Sequence, residues 1–285
     1  MHEALDDKVI EIERVKSMFY GAKNDSIKIE NTEIDYIVFG NGTKPLIMIP
    51  GLGEGLKTVK GTAAPFALMY HEVAKEYKVY CFSRRNILPQ GFTTRDMAED
   101  LYFCMCELGI EKAMVLGVSL GGMVVQQLAI HHPEVVEKLI LTVTLAGCND
   151  TVRQMTGKWM DYAKEGRHKD IMIDTAEHSY TEEYLKKLRP LYALMGNVGK
   201  PKSFERFLIM AEAGRTHNVY DELEKITCPT LVIGGRQDKI VGPTASDELA
   251  AKIPGAELYV YEDYGHGLYE EAKDFVPRVL EFFGK

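Results

Sequence analysis

The chain has 285 residues, of which 46% are hydrophobic and 27% are charged, and its formal net charge is −8. This composition is ordinary for a folded globular protein, and it excludes a mainly disordered chain, a collagen-like repeat and a small disulfide scaffold. The acidic balance lacks the basic patch that a nucleic-acid partner needs, and the five scattered cysteines indicate reduced thiols in a cytoplasmic protein.

An acidic stretch, residues 1–20, opens the chain, and its apolar residues recur at nearly helical spacing. We predict a short helical extension there and no signal peptide, because a basic segment followed by an apolar one is missing. No window is apolar over the roughly 18–20 residues that span a bilayer, so we expect no membrane partner. Residues 26–30 and 33–39 then predict a β-hairpin around Asn31-Thr32.

Apolar strands alternate with helical patterns in the next hundred residues. We predict strands and helices in turn at 46–50, 65–77, 78–83, 93–109, 112–118, 121–132 and 136–146. These strands are apolar along their whole length, which is typical of a parallel sheet that is covered on both faces. The sequence therefore predicts the α/β class.

Residues 149–222 contain only helical patterns, after which the alternation resumes with segments at 230–235, 244–253, 257–262 and 270–284. We interpret residues 21–148 and 223–285 as one α/β core and residues 149–222 as a helical insertion. The insertion is rich in Met and Tyr and contains the single tryptophan, Trp159. Such side chains indicate either an apolar pocket beneath the insertion or simple packing between its helices.

The strongest functional signal is the motif Gly117-Val118-Ser119-Leu120-Gly121, at the junction of a predicted strand and a predicted helix. Glycines permit a sharp turn there, and such a turn presents the serine at the carboxyl edge of the sheet. The motif therefore favours Ser119 as a nucleophile over a passive serine in a glycine-rich turn.

A serine nucleophile needs a base, and the base needs an acid that orients it. His266 lies between two glycines after the last predicted strand, and Asp238 follows the strand at 230–235, which gives the chain order Ser, acid, His. Asp150, after the strand at 136–146, is an alternative acid. Three histidines lie in the insertion and could act at the site only as substrate contacts: His168, His178 and His217.

The loop Pro50-Gly51-Leu52-Gly53 follows the strand at 46–50. A glycine loop at a strand end can direct a backbone N–H at a developing oxyanion. We predict the N–H groups of Leu52 and Leu120 as the two donors of an oxyanion hole, with a plain strand-to-helix turn as the alternative.

With these residues in place, the chain from about residue 26 onward resembles the capped, lipase/esterase-like members of the α/β-hydrolase fold superfamily. The resemblance implies an eight-stranded, mostly parallel sheet, a helical cap after the sixth strand, and Ser119, Asp238 and His266 as a catalytic triad. The chain departs from the family at Pro50, where a histidine is usual, so the support of that loop must differ. It departs again at Arg84 and Arg85, whose roles the sequence leaves open.

The predicted chemistry is acyl transfer to Ser119 followed by hydrolysis, with a small, fairly apolar carboxylic ester as the substrate. No metal or organic cofactor is expected, and the sequence does not indicate an oligomeric state. Two alternatives remain. Residues 117–141 are similar to enol-lactonases, which favours hydrolysis of an enol-lactone or of a carbon–carbon bond beside a ketone. The second alternative is a ligand-binding receptor on the same fold, with little turnover.

Overall fold

An eight-stranded sheet forms the centre of the protein, whose computed structural model describes residues 19–195 and 199–285. The strands in chain order are β1 (Lys23–Ile29), β2 (Thr32–Phe39), β3 (Lys44–Ile49), β4 (Tyr77–Arg85), β5 (Ala113–Val118), β6 (Val136–Thr142), β7 (Thr230–Gly235) and β8 (Glu257–Tyr261). They lie side by side in the order β1-β2-β4-β3-β5-β6-β7-β8. β2 is antiparallel to β1 and to β4, and all other pairs are parallel. This confirms the predicted mostly parallel sheet.

Helices cover both faces of the sheet, and a further group is inserted between β6 and β7. In chain order they are α1 (Ala63–Met69), α2 (His71–Glu76), α3 (Thr94–Glu107), α4 (Leu120–His131), α5 (Asp150–Lys164), α6 (His168–Ser179), α7 (Glu182–Leu188), α8 (Tyr192–Met195), α9 (Glu205–Thr216), α10 (Ala245–Lys252), α11 (Leu268–Glu271) and α12 (Phe275–Gly284). One apolar cluster packs α3 and α4 against the sheet, and a second packs α1, α2 and α12 against its other face. All six residues of β5 are buried between these layers, as a central parallel strand requires.

Several predicted boundaries differ from the structure. The helix expected at 65–77 is two helices that meet at Tyr70, whose φ of −103° and ψ of 33° leave the helical region. The strand expected at 136–146 ends at Thr142, because Val143 has a φ of 45° and turns the chain. The helix expected over 1–20 falls outside the described residues, except for residues 19 and 20, which lie in a turn.

The hairpin also differs in its turn. Ile29 pairs with Thr32, so the connection is formed by Glu30 and Asn31, one residue earlier than expected. Glu30 has a φ of 51°, a conformation that glutamate rarely adopts. The turn therefore carries a strained glutamate, which the weak turn signal at Asn31-Thr32 did not predict.

Helices α5 to α9 all lie between β6 and β7, and the chain leaves and rejoins the core at one place. The Val219 N–H donates to the Ala146 carbonyl at 2.8 Å, and the Cys148 N–H donates to the His217 carbonyl at 3.1 Å. We call this short antiparallel contact, residues 146–148 with 217–219, the neck. Within the described part of the chain, no helix is both long enough and apolar enough to cross a membrane.

His217, in the neck, makes the fold sensitive to acid. Its ring is 3% exposed, its Nδ1 lies 2.9 Å from Thr94 Oγ1, and burial lowers its pKa to about 4. In the unfolded chain a histidine is protonated below about pH 6.5, whereas in the folded chain His217 stays neutral down to about pH 4. Stability is therefore lost as the pH falls from about 6.5 toward about 4, and we expect a loss of about 2 kcal/mol from this residue between pH 7 and pH 5.

Urea unfolding at pH 7 and pH 5 measures this effect. The free energy of unfolding of the His217→Gln variant should change less between the two pH values than that of the wild type, by about 2 kcal/mol. His71→Gln, at an exposed position, should retain the wild-type dependence. An unchanged pH dependence in His217→Gln would contradict the prediction.

Candidate active site

Ser119 occupies a sharp turn between β5 and α4. Its φ of 53° and ψ of −121° place a serine in a conformation that costs backbone energy. Two neighbouring glycines make the turn possible. A Cβ on Gly117 would lie 2.4 Å from Val125 Cγ2, and one on Gly121 would lie 2.0 Å from the Ile49 carbonyl oxygen. Residues larger than glycine are therefore excluded on both sides of Ser119.

The turn is also held by hydrogen bonds from β6 and the loop after it. The Ser119 N–H donates to the Thr142 carbonyl at 2.9 Å, and Thr144 Oγ1 donates to the Ser119 carbonyl at 2.8 Å. Val143 turns the chain back toward Ser119, and this turn brings Thr144 Oγ1 within hydrogen-bond distance of the Ser119 carbonyl. The early end of β6 thus contributes to fixing the serine.

His266 and Asp238 complete a hydrogen-bonded line with Ser119. His266 Nε2 lies 3.0 Å from Ser119 Oγ, and His266 Nδ1 lies 2.8 Å from Asp238 Oδ2. Asp238 is 3% exposed, and its other oxygen accepts the N–H groups of Ile240 and Val241 at 2.8 and 2.9 Å. These bonds fix the carboxylate, which in turn orients the imidazole. Three residues predicted from the sequence therefore meet with the geometry of a nucleophile, a base and an orienting acid.

The alternative acid lies elsewhere. Asp150 is in the first turn of α5, its side chain is 94% exposed, and its nearest charged partner is Arg153 at 3.9 Å. His266 Nδ1 is hydrogen-bonded to the Asp238 carboxylate instead, which accepts the bond. The geometry therefore favours Asp238 over Asp150.

The histidines of the insertion do not face Ser119. His217 is buried in the neck, and His178 Nδ1 lies 2.7 Å from the Asp174 carbonyl oxygen. His168 is buried on α6 near Phe204. None of the three is among the described residues that line the cavity at Ser119, so the expectation that they contact substrate finds no support in the geometry.

Leu52 and Leu120, the predicted oxyanion donors, lie on either side of Ser119. Leu52 begins a 3₁₀ helix, Leu52–Gly55, and Leu120 begins α4. The first N–H groups of a helix have no acceptor within that helix, so both remain available to a ligand. A Cβ built on Gly51 would lie 3.2 Å from Ser119 Cβ, which shows how closely the loop after β3 approaches the serine.

A cavity of about 410 Å³ opens at Ser119 and His266. Its wall is mainly apolar and draws on both the core and the insertion, including Leu56, Phe66, Leu116, Trp159, Met172 and Phe207. Among the described residues that line it, none is Lys or Arg. Met172 thus faces the cavity, whereas Met210 is fully buried against Gly55, so the methionines of the insertion serve both of the roles considered for them.

Polar side chains also line this wall, among them Glu54 and a cluster around Glu270. Tyr180 Oη donates to Glu270 Oε2 at 2.6 Å, and Tyr269 lies beside them on the cavity wall. Burial raises the pKa of the Glu270 carboxyl and raises that of the Tyr269 hydroxyl well above its usual value. No local sequence feature singles out these residues, because Glu270 resembles an ordinary acidic residue near a helix start.

The two arginines after β4 have distinct surroundings. Arg85 is bidentate to Asp100, with both bonds at 2.7 Å, and also donates to Glu30 at 2.8 Å. Arg84 is 4% exposed and lies 3.7 Å from Glu54, and burial lowers its pKa to about 10. Neither side chain reaches the cavity wall.

No cluster of three or more His, Cys, Asp or Glu side chains suited to a metal ion occurs among the residues that the structure describes. The groups placed for chemistry at the site are the hydrogen-bonded side chains of Ser119, His266 and Asp238.

Comparison with known proteins agrees with this architecture. A model of the alpha/beta hydrolase fold family matches residues 44–273. A protein of Rhizobium rhizogenes that is provisionally assigned as the carbamate hydrolase RutD is 25% identical over 261 residues, 84% of this chain and 92% of that protein. A 2-hydroxymuconate semialdehyde hydrolase of Pseudomonas putida is 29% identical over 184 residues, 62% of this chain and 63% of that protein. The enol-lactonase of Burkholderia xenovorans LB400 superposes with a TM-score of 0.77 at 21% identity, over 92% of this chain and 100% of that chain. The chain belongs to the α/β hydrolase fold family and is a hydrolase of that type.

Proposed function

We propose that this hydrolase cleaves a small, fairly apolar carboxylic ester by acyl transfer through Ser119. The observation that carries the proposal is the hydrogen-bonded line from Ser119 Oγ through His266 to Asp238, at 3.0 and 2.8 Å, on the wall of the cavity. A serine hydroxyl is a weak nucleophile by itself, and an imidazole within hydrogen-bond distance supplies the base that activates it.

The reaction proceeds in two halves. Ser119 Oγ attacks the ester carbonyl carbon while His266 Nε2 takes the hydroxyl proton, and the carbonyl oxygen becomes an oxyanion. The intermediate expels the alcohol, which receives the proton from His266, and the acyl group stays on Ser119. Water, deprotonated by His266, then attacks the acyl-enzyme, and Ser119 leaves with the proton restored. Asp238 holds the imidazole in the required tautomer and stabilises its cation.

The oxyanion formed in each half needs donors that are already in position. The N–H groups of Leu52 and Leu120 are assigned this role, because both lack a helical acceptor and both lie beside Ser119. N–H donors that are already in position stabilise the oxyanion more than water does, because they do not have to reorient as charge develops.

The cavity wall supports an apolar, uncharged substrate. Most lining side chains are aliphatic, aromatic or thioether, and the described ones include no Lys or Arg to pair with a substrate carboxylate. This weighs against a substrate that carries a carboxylate, and so against a 2-hydroxymuconate compound such as the one in the name of the Pseudomonas putida relative. An enol-lactone or a carbamate without a negative charge fits the same wall, and such compounds are the second choice.

Glu270 predicts how the enzyme ranks substrates by charge. We compare three esters of equal shape that carry a neutral group, an ammonium or a carboxylate on the acyl chain, at a pH above the raised pKa of Glu270. The value of kcat/KM should be lowest for the carboxylate, because ionised Glu270 repels it and no described lining Lys or Arg compensates. A unit charge at contact distance is worth about 1 kcal/mol in watery surroundings, which is roughly a fivefold change in kcat/KM. Glu270→Gln should remove about that much of the penalty, whereas Glu262→Gln, remote from the cavity wall, should not. A preference of the wild type for the anionic ester would contradict the prediction.

A substrate panel tests the proposed function. Short-chain and medium-chain carboxylic esters are assayed beside lactones, enol-lactones, β-diketones and carbamates. The proposal expects the highest kcat/KM for an uncharged ester. A β-diketone as the best substrate would move the assignment to carbon–carbon bond hydrolysis. Tight binding of these compounds with negligible turnover would favour the receptor alternative.

A further inference from the structure

Glu54 is a buried carboxylate next to the predicted oxyanion donor. It lies two residues after Leu52 in the 3₁₀ helix Leu52–Gly55, and its side chain is 2% exposed. A buried carboxylate is costly unless it is paired and hydrogen-bonded. Its partners therefore determine where this short helix sits relative to Ser119.

Arg206, from the insertion helix α9, supplies most of that pairing. Its Nη2 forms a short ion pair with Glu54 Oε1, and its Nη1 donates to the Glu54 carbonyl oxygen at 2.5 Å. The same guanidinium reaches β4, where Nε donates to the Arg85 carbonyl at 2.8 Å and Nη2 donates to the Arg84 carbonyl at 3.1 Å. One side chain thus ties the Leu52–Gly55 helix to the end of a central strand.

Helix α9 also packs closely against the Leu52–Gly55 helix and against the first residue of α4. A Cβ built on Gly55 would lie 2.9 Å from Phe207 Cα, so the Leu52–Gly55 helix and α9 are in backbone contact. One built on Gly214 would lie 3.3 Å from Leu120 Cδ1. Helix α9 therefore touches the elements that carry both predicted oxyanion donors.

Arg84 cannot replace Arg206 as a partner of Glu54. Its Nη1 is 3.7 Å from Glu54 Oε2, beyond hydrogen-bond distance, and its backbone N–H is 3.4 Å from that oxygen. The three guanidinium nitrogens of Arg84 have no hydrogen-bond partner among the described residues. Without Arg206, the Glu54 carboxylate would remain buried with one loosely placed cation.

We propose that Arg206 is a positioning residue, which holds the Leu52 N–H in place for the oxyanion from the insertion side of the active site. The Arg206–Glu54 pair supplies support for the loop that follows Pro50. The inference rests on the proposed serine hydrolase function. It assigns to the insertion a part in the chemistry, in addition to its part in the cavity wall.

Loss of Arg206 should destabilise the transition state, in which the oxyanion forms, and leave substrate binding nearly unchanged. A donor displaced by about 1 Å costs on the order of a hundredfold in rate. We therefore expect Arg206→Gln to lower kcat for the best ester by about 10- to 100-fold with little change in KM. Arg206→Lys keeps the charge, but a single ammonium cannot reach the Glu54 carboxylate and the three backbone carbonyls together. Its kcat should therefore lie between that of the wild type and that of Arg206→Gln.

A matched pair of inhibitors separates positioning from general packing. A medium-chain alkyl trifluoromethyl ketone adds to the serine and forms an oxyanion, whereas the methyl ketone of equal length occupies the cavity without adding. Arg206→Gln should weaken inhibition by the trifluoromethyl ketone about 10-fold or more and leave that by the methyl ketone within about twofold. Arg189→Gln is the matched control, because Arg189 makes a similar multidentate ion pair with Glu177 and Glu182 on the insertion surface.

Each outcome decides the matter. Equal losses of affinity for both ketones, or a wild-type kcat in folded Arg206→Gln, would overturn the inference. If thermal unfolding shows that Arg206→Gln does not fold, Arg206→Lys decides, and wild-type kcat and trifluoromethyl ketone affinity in that variant would overturn it. Absence of both ester turnover and ketone inhibition in the wild type would overturn the proposed function itself, and the inference with it.

Discussion

Ser119→Ala is expected to lower kcat/KM for the best ester by about 10⁵- to 10⁶-fold and to abolish labelling by a fluorophosphonate. The variant keeps the backbone and removes the one atom that attacks the substrate. Residual turnover would come from the cavity and the oxyanion donors, which remain in place. Rates are measured with the best ester of the panel, and the labelled site is identified by mass spectrometry of the digested protein.

The control for this experiment is Ser26→Ala, a serine in β1 whose hydroxyl bonds to Glu33 at the sheet edge. It should retain both turnover and labelling. A Ser119→Ala protein that is folded and still takes up the fluorophosphonate at an equal rate would refute a nucleophilic role for Ser119.

Asp238→Asn is expected to lower kcat by about 10⁴-fold while leaving the fold intact. The amide has nearly the shape of the carboxylate, but its NH₂ group would donate to His266 Nδ1. The imidazole would then carry its proton on Nε2, facing Ser119, where it cannot accept the hydroxyl proton. The loss therefore arises from the wrong tautomer, and the affinity for a non-reactive methyl ketone should be almost unchanged.

Asp150→Asn provides the matched control, since it makes the same substitution at the alternative acid. Its side chain is 94% exposed on α5, and we expect kcat within about twofold of the wild type. The reverse pattern, with a severe loss in Asp150→Asn and a small one in Asp238→Asn, would show that the acid is misassigned.

The residues of the line from Ser119 to Asp238 could be predicted because each is marked by local sequence. Glycines on both sides mark Ser119, two more mark His266, and Asp238 follows an apolar strand. Their meeting then follows from the topology, because parallel strands bring their carboxyl ends to one edge of the sheet. Local signals and a standard topology were together sufficient here.

The pairing of Glu54 with Arg206 carries no such signal. The two residues are 152 positions apart, and each reads as an ordinary surface charge. Only the docking of α9 onto the Leu52–Gly55 helix buries both and makes them partners. The same holds for Glu270, which gains its significance from Tyr180, a residue of the link between α6 and α7.

The break between α1 and α2 was missed for a similar reason. The predicted helix continues through Tyr70 without a glycine and with its proline near the start, so no local feature marks an interruption. In the structure, Tyr70 is 7% exposed and contributes to the cavity wall. Tertiary packing overrides helix propensity at this position.

The neck at residues 146–148 and 217–219 has a consequence for how such a protein can change over time. Because the insertion joins the core through two adjacent backbone segments, its ends are already as close as the ends of a tight turn. Lengthening, shortening or exchanging the helices beyond the neck therefore adds little loop-closure entropy and leaves the pairing of β6 with β7 intact. The part of the cavity wall that the insertion supplies can thus vary independently of the residues that would break the substrate's bond. Any exchanged insertion would, however, have to replace the support that Arg206 gives to Glu54.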